Sequence, residues 1–182
     1  MEMIQEEIPG IPKKPRPNKG DPEVIEEFKK EVLVKLDKLF PEEDNGDISD
    51  HLVEKMTLYN EMDGYRLAKS LDDRFYMDSD FETADMLNDL HWELDKVYGK
   101  AVKKWIEEQG IKVPFEIGDE VSINVLNSYV EGEIHYIYED SARVSVFCES
   151  LGHVRSGCSG TLGIIKNCED VKSLKKYQKE DE

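Results

Sequence analysis

Cys148, Cys158 and Cys168 recur at ten-residue intervals, with His153 between the first two. Thiolate and imidazole are zinc ligands, but structural zinc sites commonly include a short chelate pair such as C-x2-C, and none stands here. Three thiols in a chain with no apolar signal core read as reduced cysteines rather than a disulfide framework. Cys158 and His153 also have the residue types of a nucleophile and its base. The surrounding Ser156-Gly157-Cys158-Ser159-Gly160 is glycine-rich but lacks the lysine of a phosphate-binding loop, and no G-x-S-x-G elbow occurs. His51, His91 and His135 stand in no Glu-x-x-His or His-Glu-x-x-His pattern. Aligning Gly46 of Asp44-Asn45-Gly46-Asp47 with the invariant glycine of an EF-hand puts Pro41 at the first ligand position. It also puts Leu52 where a bidentate glutamate is required, so the run reads as a turn and helix cap. The expectation is a protein that is not an enzyme and uses neither metal nor cofactor.

Charge is the other chemistry on offer. The 182 residues carry 41 Asp and Glu against 24 Lys and Arg, a net charge of -17. Six Phe, eight Tyr and two Trp distinguish the chain from a disordered acidic tail. Such a balance argues against direct binding to nucleic acid, which needs clustered cations, and points to basic partners. The acid is unevenly spread: residues 1–20 are +1, residues 21–110 are -13 and residues 111–182 are -5. Between Ser70 and Asp95 stand Asp72, Asp73, Asp78, Asp80, Glu82, Asp85, Asp89, Glu93 and Asp95, opposed only by Arg74. These nine are the predicted partner-binding residues.

On a continuous helix Asp78, Glu82, Asp85, Asp89 and Glu93 would step by four, three, four and four along one side, away from Leu87 and Leu94. Like charges four residues apart cost a helix a few tenths of a kcal/mol per pair. At ~1.5 Å rise per residue, a four-residue step is about 6 Å, close to the phosphate spacing along one nucleic-acid strand. Such a row can imitate a phosphate ladder.

The elements that must position these residues follow from hydrophobic periodicity. Residues 1–20 form a proline-rich tail in which Pro12 and Pro15 make a P-x-x-P. Residues 21–110 predict three helices forming an antiparallel bundle. The first is capped by Asp21 and Pro22, carries Ile25, Phe28, Val32, Leu36 and Leu39, and stops at Pro41. The second begins near Ser49, carries Leu52, Met56 and Tyr59, tolerates Gly64 in its middle and continues through Leu67, Leu71 and Phe75. The third opens on a Ser79/Glu82 capping box, buries Leu87, Leu90, Leu94, Val97, Ala101 and Trp105, and ends at Gly110. Residues 111–172 switch to period two. Val121, Ile123 and Val125 form one inward face, Ile134, Tyr136 and Tyr138 a second, and Val144, Val146 and Cys148 a third. Gly163-Ile164-Ile165 is the expected last strand, and residues 173–182 a charged tail. No run of ~18 apolar residues is present, so the chain is expected to be cytoplasmic, with no membrane span.

Two resemblances add to this. Phe115–Val121 (FEIGDEV), Tyr129–Phe147 (YVEGEIHYIYEDSARVSVF) and Gly163–Val171 (GIIKNCEDV) resemble a small SH3-like barrel of the Tudor or KOW type. The resemblance implies an α+β chain whose barrel follows the helices. It also implies an aromatic cage for methylated side chains, to which Tyr129, Tyr136, Tyr138 and Phe147 are candidate contributors. Through its size, acidity, helical-plus-β organisation and lack of catalytic motifs, the whole chain resembles phage anti-CRISPR inhibitors of type II effectors. That resemblance implies a DNA mimic in the bacterial host cell. It would bind a CRISPR effector nuclease, with or without guide RNA, and block target-DNA recognition. The competing expectation is a Tudor- or KOW-like adaptor for a basic peptide or for the transcription or translation machinery.

Overall fold

The computed structural model describes residues 14–41, 43–151 and 163–174. Pro12, His153, Cys158, the Ser156–Gly160 loop and the end beyond Leu174 lie outside the described residues, as do the P-x-x-P and cysteine–histidine readings that depend on them. The chain divides into two compact units. One runs from Arg16 to Val102; the other runs from Lys103 onward and includes Lys14 and Pro15.

Among the described residues, the N-terminal part carries five α-helices where periodicity predicts three. α1 (Pro22–Leu39) follows Asp21 with proline at its first turn and buries Val24, Phe28, Val32 and Leu36 on a four-residue stripe. Phe40, the residue before Pro41, ends it outside the helical region (φ -128, ψ 64), its N–H still donating to the Leu36 carbonyl. α2 (Asn45–Thr57) starts four residues before the predicted Ser49 because Asp44 is the cap, its carboxylate accepting the Gly46 N–H at 3.2 Å. Ser49 is buried inside the helix, and its hydroxyl donates to the Lys29 carbonyl. The expected second helix does not run on: Tyr59 falls past the end of α2 and is 66% exposed.

α3 (Gly64–Phe75) is a new helix capped by Asp63, which accepts the Arg66 N–H at 3.0 Å. Gly64 is therefore a helix start and not a weak middle. A Cβ there would lie 2.1 Å from the Ala84 carbonyl oxygen and 2.6 Å from the Asn88 nitrogen. The space is taken by α4 (Phe81–Asn88), whose Asn88 side chain accepts the Gly64 N–H at 2.7 Å. α4 opens on Asp80, one residue after the predicted cap, and Asp80 accepts both the N–H and the hydroxyl of Thr83 at 2.9 Å. α5 (Leu90–Gln109) follows after a break at Asp89. Leu87, Leu90, Leu94 and Val97 are buried with the α1–α3 side chains in one core, and Gly110 takes the left-handed conformation (φ 61) that stops the helix. In the other unit, the Trp105 indole N–H donates to the Lys14 carbonyl at 3.0 Å.

Among its described residues the second unit forms an antiparallel five-stranded sheet in the order β4-β3-β2-β1-β5. Its strands are β1 (Glu120–Val125), β2 (Ser128–Tyr138), β3 (Arg143–Phe147), β4 (Ile164–Asn167) and β5 (Val171–Ser173). The architecture is thus α+β. Phe115, Val121, Ile123, Ile134, Val144, Val146, Cys148 and Val171 share its core. The β1–β2 turn is Leu126-Asn127, both at positive φ (49 and 66), one residue ahead of the predicted Asn127-Ser128. β5 and the short 3-10 turn before it (Cys168–Asp170) are additional elements in a stretch where the sequence predicts a single last strand.

The largest departure is in β2. Ile134 pairs with Val146, but Tyr136, not His135, pairs with Ser145, so the register slips by one at His135. A bulge of one residue exchanges the faces beyond it. Ile137 then packs on the core while Tyr136 and Tyr138 face solvent, reversing the alternation expected for both tyrosines.

Candidate functional site

The nine predicted carboxylates divide into two groups by what they already do. Asp72 is half-buried and accepts the Ser79 N–H at 3.0 Å, tying the chain after α3 back to that helix. Asp80 caps α4, and the Thr83 N–H and hydroxyl hold its carboxyl below the usual carboxylate range. Glu93 sits between Lys96 (3.1 Å) and Lys35 (3.6 Å). The Lys96 hydrogen bond, above all, keeps its pKa low. Asp95 pairs with Lys19 at 2.6 Å. These four stabilise the helical unit and are occupied.

Asp73, Asp78, Glu82, Asp85 and Asp89 are exposed, and among the described residues none is in an ion pair. They do not form the single rod that the spacing predicts. Asp78 lies in the connection before α4, Glu82 and Asp85 lie on α4, and Asp89 is the residue at which α4 gives way to α5. Asp80 is the N-cap of α4, so Asp78 stands two residues before it, and a cap at Ser79 would equally have left Asp78 outside the helix. A helical spacing of about 6 Å per four residues therefore applies from Asp85 to Asp89 and does not extend back to Asp78 or on to Glu93.

Sequence reasoning missed what stands among these acids. Tyr65, Tyr76, Phe81 and Trp92 are all strongly exposed, Tyr76 at 92% and Phe81 at 87%. Tyr76 closes α3 in the left-handed region (φ 57, ψ 33), an uncommon place for a bulky side chain. The available signal was their position: Tyr76 and Phe81 fall in the polar stretch between two apolar stripes.

His51, read from sequence only as a helical residue without a motif, is buried in this unit. Arg74 donates to its Nδ1 (3.2 Å), so the proton sits on Nε2, which donates to the Ser70 hydroxyl oxygen (3.1 Å); that hydroxyl donates onward to the Leu67 carbonyl. Burial, then the Arg74 charge, pushes the pKa of His51 down. It is a neutral structural link.

In the sheet unit, Phe147 is buried with the His135 ring stacked on it at 5.1 Å, which removes it from the set of cage rings. Tyr136 and Tyr138 lie side by side at 4.7 Å on the solvent face. The Lys172 ammonium sits 4.5 Å over the Tyr129 ring and donates to its hydroxyl at 3.2 Å. Cys148 and Cys168 are buried in the core of the sheet, and burial pushes the Cys148 thiol up, away from thiolate chemistry. Among the described residues no group of three His, Cys, Asp or Glu side chains is placed to hold a metal, and no helix is long and apolar enough to cross a membrane. No family model matches the chain, and no curated protein or solved structure matches it.

Proposed function

We propose that this chain is a non-enzymatic interaction protein whose acidic helical surface occupies the basic cleft of a nucleic-acid-binding protein and excludes the nucleic acid. The observation that carries this reading is the set Asp73, Asp78, Glu82, Asp85 and Asp89: exposed carboxylates in one stretch of chain, outside any ion pair among the described residues. Elsewhere in the same unit lysines are already engaged by other acids. An arginine-lined cleft offers the bidentate partners that such carboxylates lack. By resemblance the partner is a CRISPR effector nuclease, blocked at target-DNA recognition. For the architecture, the pairing of α1 with α2 and of α3 with α4 supports an antiparallel bundle. The strand order and the long, bulged β2 support an SH3-like barrel.

The test is displacement of labelled duplex DNA from a guide-loaded type II effector at moderate salt. The chain is expected to compete. A variant carrying Asp73→Asn, Glu82→Gln, Asp85→Asn and Asp89→Asn is expected to compete at least tenfold more weakly. Failure of the wild-type chain to displace DNA, or full competition by the variant, removes the proposal.

The Tudor- or KOW-like adaptor keeps one observation in its favour, the exposed Tyr136–Tyr138 pair. It predicts that a dimethyl-lysine peptide shifts signals of these two rings, and that the four helical neutralisations change nothing.

A further inference from the structure

Within the helical unit, the α1–α2 connection and the chain leaving α3 enclose a cleft of about 490 Å³, the size of small-ligand sites. Phe40, Phe75 and Met77 give it an apolar wall, each half-buried against the helical core. Glu43, Asp47 and Asp78 stand on its rim, exposed and, among the described residues, outside any ion pair. No described lysine, arginine or histidine lines it. Tyr76, the exposed left-handed cap of α3, is at the same cleft.

The geometry points to an anchor site for a basic segment of a partner protein, with one arginine seated in the cleft. An arginine stem is apolar and lies well on rings and thioether, while its planar head remains at the wet rim. There the guanidinium meets carboxylates, which bind it through paired, charge-assisted hydrogen bonds. The Tyr76 ring adds a face on which the cation can stack. The cleft repels anions through its rim, and a purely apolar side chain would leave the three carboxylates without partners. The inference rests on the reading that the helical unit meets a basic protein, and it adds where the contact is anchored and by which side chain.

The full chain, isotope-labelled, would be titrated with an eight-residue peptide bearing two arginines among leucines, and with the same peptide carrying neutral citrulline for arginine. The arginine peptide is expected to shift the signals of Ile48, Phe75, Tyr76 and Met77 and to bind at least tenfold more tightly than the citrulline peptide. Asp47→Asn with Asp78→Asn is expected to weaken it at least tenfold. Asp85→Asn with Asp89→Asn, outside the cleft, is expected to change it less than twofold. Thermal unfolding of both variants checks that they fold. Equal binding of the two peptides, equal loss in the two variants, or no binding overturns the anchor. DNA displacement by the same variants separates the two ideas. If wild type competes and the cleft variant competes as well as it does, the anchor fails and the mimicry reading stands. If the arginine peptide binds at the cleft but wild type displaces no DNA, the mimicry reading fails and the anchor stands.

Discussion

The two units carry the same sign of charge but place much of it differently. In the helical unit, acids sit where backbone N–H groups need them: Asp44, Asp63 and Asp80 each cap a helix. In the sheet unit, Glu120 and Glu133 are directly paired across β1 and β2, an arrangement in which like charges repel. Net charge per domain therefore says little about what an acid does. What decides it is whether the backbone nearby offers donors, as a helix start does, or has spent them in a ladder, as a sheet interior has.

Phe28→Ala, at a fully buried position of α1, should cost the helical unit about 3–5 kcal/mol, read from urea unfolding followed at 222 nm. Gly64→Ala should cost about 3 kcal/mol, because the new methyl meets backbone of α4 and not a movable side chain. A near-neutral Gly64→Ala would show that α3 and α4 do not touch as described. If acids in the helical unit are structural caps, Asp63→Ala should lower stability by about 1 kcal/mol, while Asp85→Asn, which caps nothing, should stay within about 0.5 kcal/mol.

The sheet unit should respond in the other direction at its hairpin. Leu126, 95% exposed, is held at φ 49, so Leu126→Gly should stabilise by about 1 kcal/mol in thermal unfolding. The smallest effect is on pH. His51 has a lowered pKa in the folded chain, so the unfolded chain binds its proton first. Its stabilising contribution is complete above the ordinary histidine value near ~6.5 and is lost as pH falls below it. Asp80 and Glu93, also lowered, contribute above the ordinary carboxylate range and lose that contribution only at more acid pH. Two separate losses should appear on acidification, and His51→Gln should remove the first; a single carboxylate-range loss in the wild type would contradict the buried neutral imidazole.

Much of the fold was legible because periodicity and caps agree. The α1 stripe, its stop at Phe40, the Gly110 cap and the inward faces of β1 and β3 all follow from spacing. The failures are places where one residue changes the frame. Asp44 and Asp80 take the caps expected at Ser49 and Ser79, Asp63 caps a helix the periodicity ran together with α2, and α4 gives way to α5 at Asp89, so two expected helices become four. An aspartate and a serine are nearly equal caps, so composition could not rank them. His135 as the extra residue in β2 turns two tyrosines outward, and no residue type announces a bulge at that position. The candidate site was legible as a stretch of acid, but not as two groups. Which carboxylates are already occupied depends on Lys19, Lys35 and Thr83, which the fold brings beside them.

The strand order also sets a sequence in time. β1 and β2 are joined by a two-residue turn and can zip as a hairpin in about 1–10 microseconds. β5 reaches β1 only when Ile123 meets Val171, 48 positions along the chain. Closing that span costs chain entropy before any contact repays it, so β5 is expected to join after the hairpin has formed. Until it does, the outer edge of β1 presents open N–H and C=O groups, and a freshly made chain carries for that interval a strand edge that its finished form has covered.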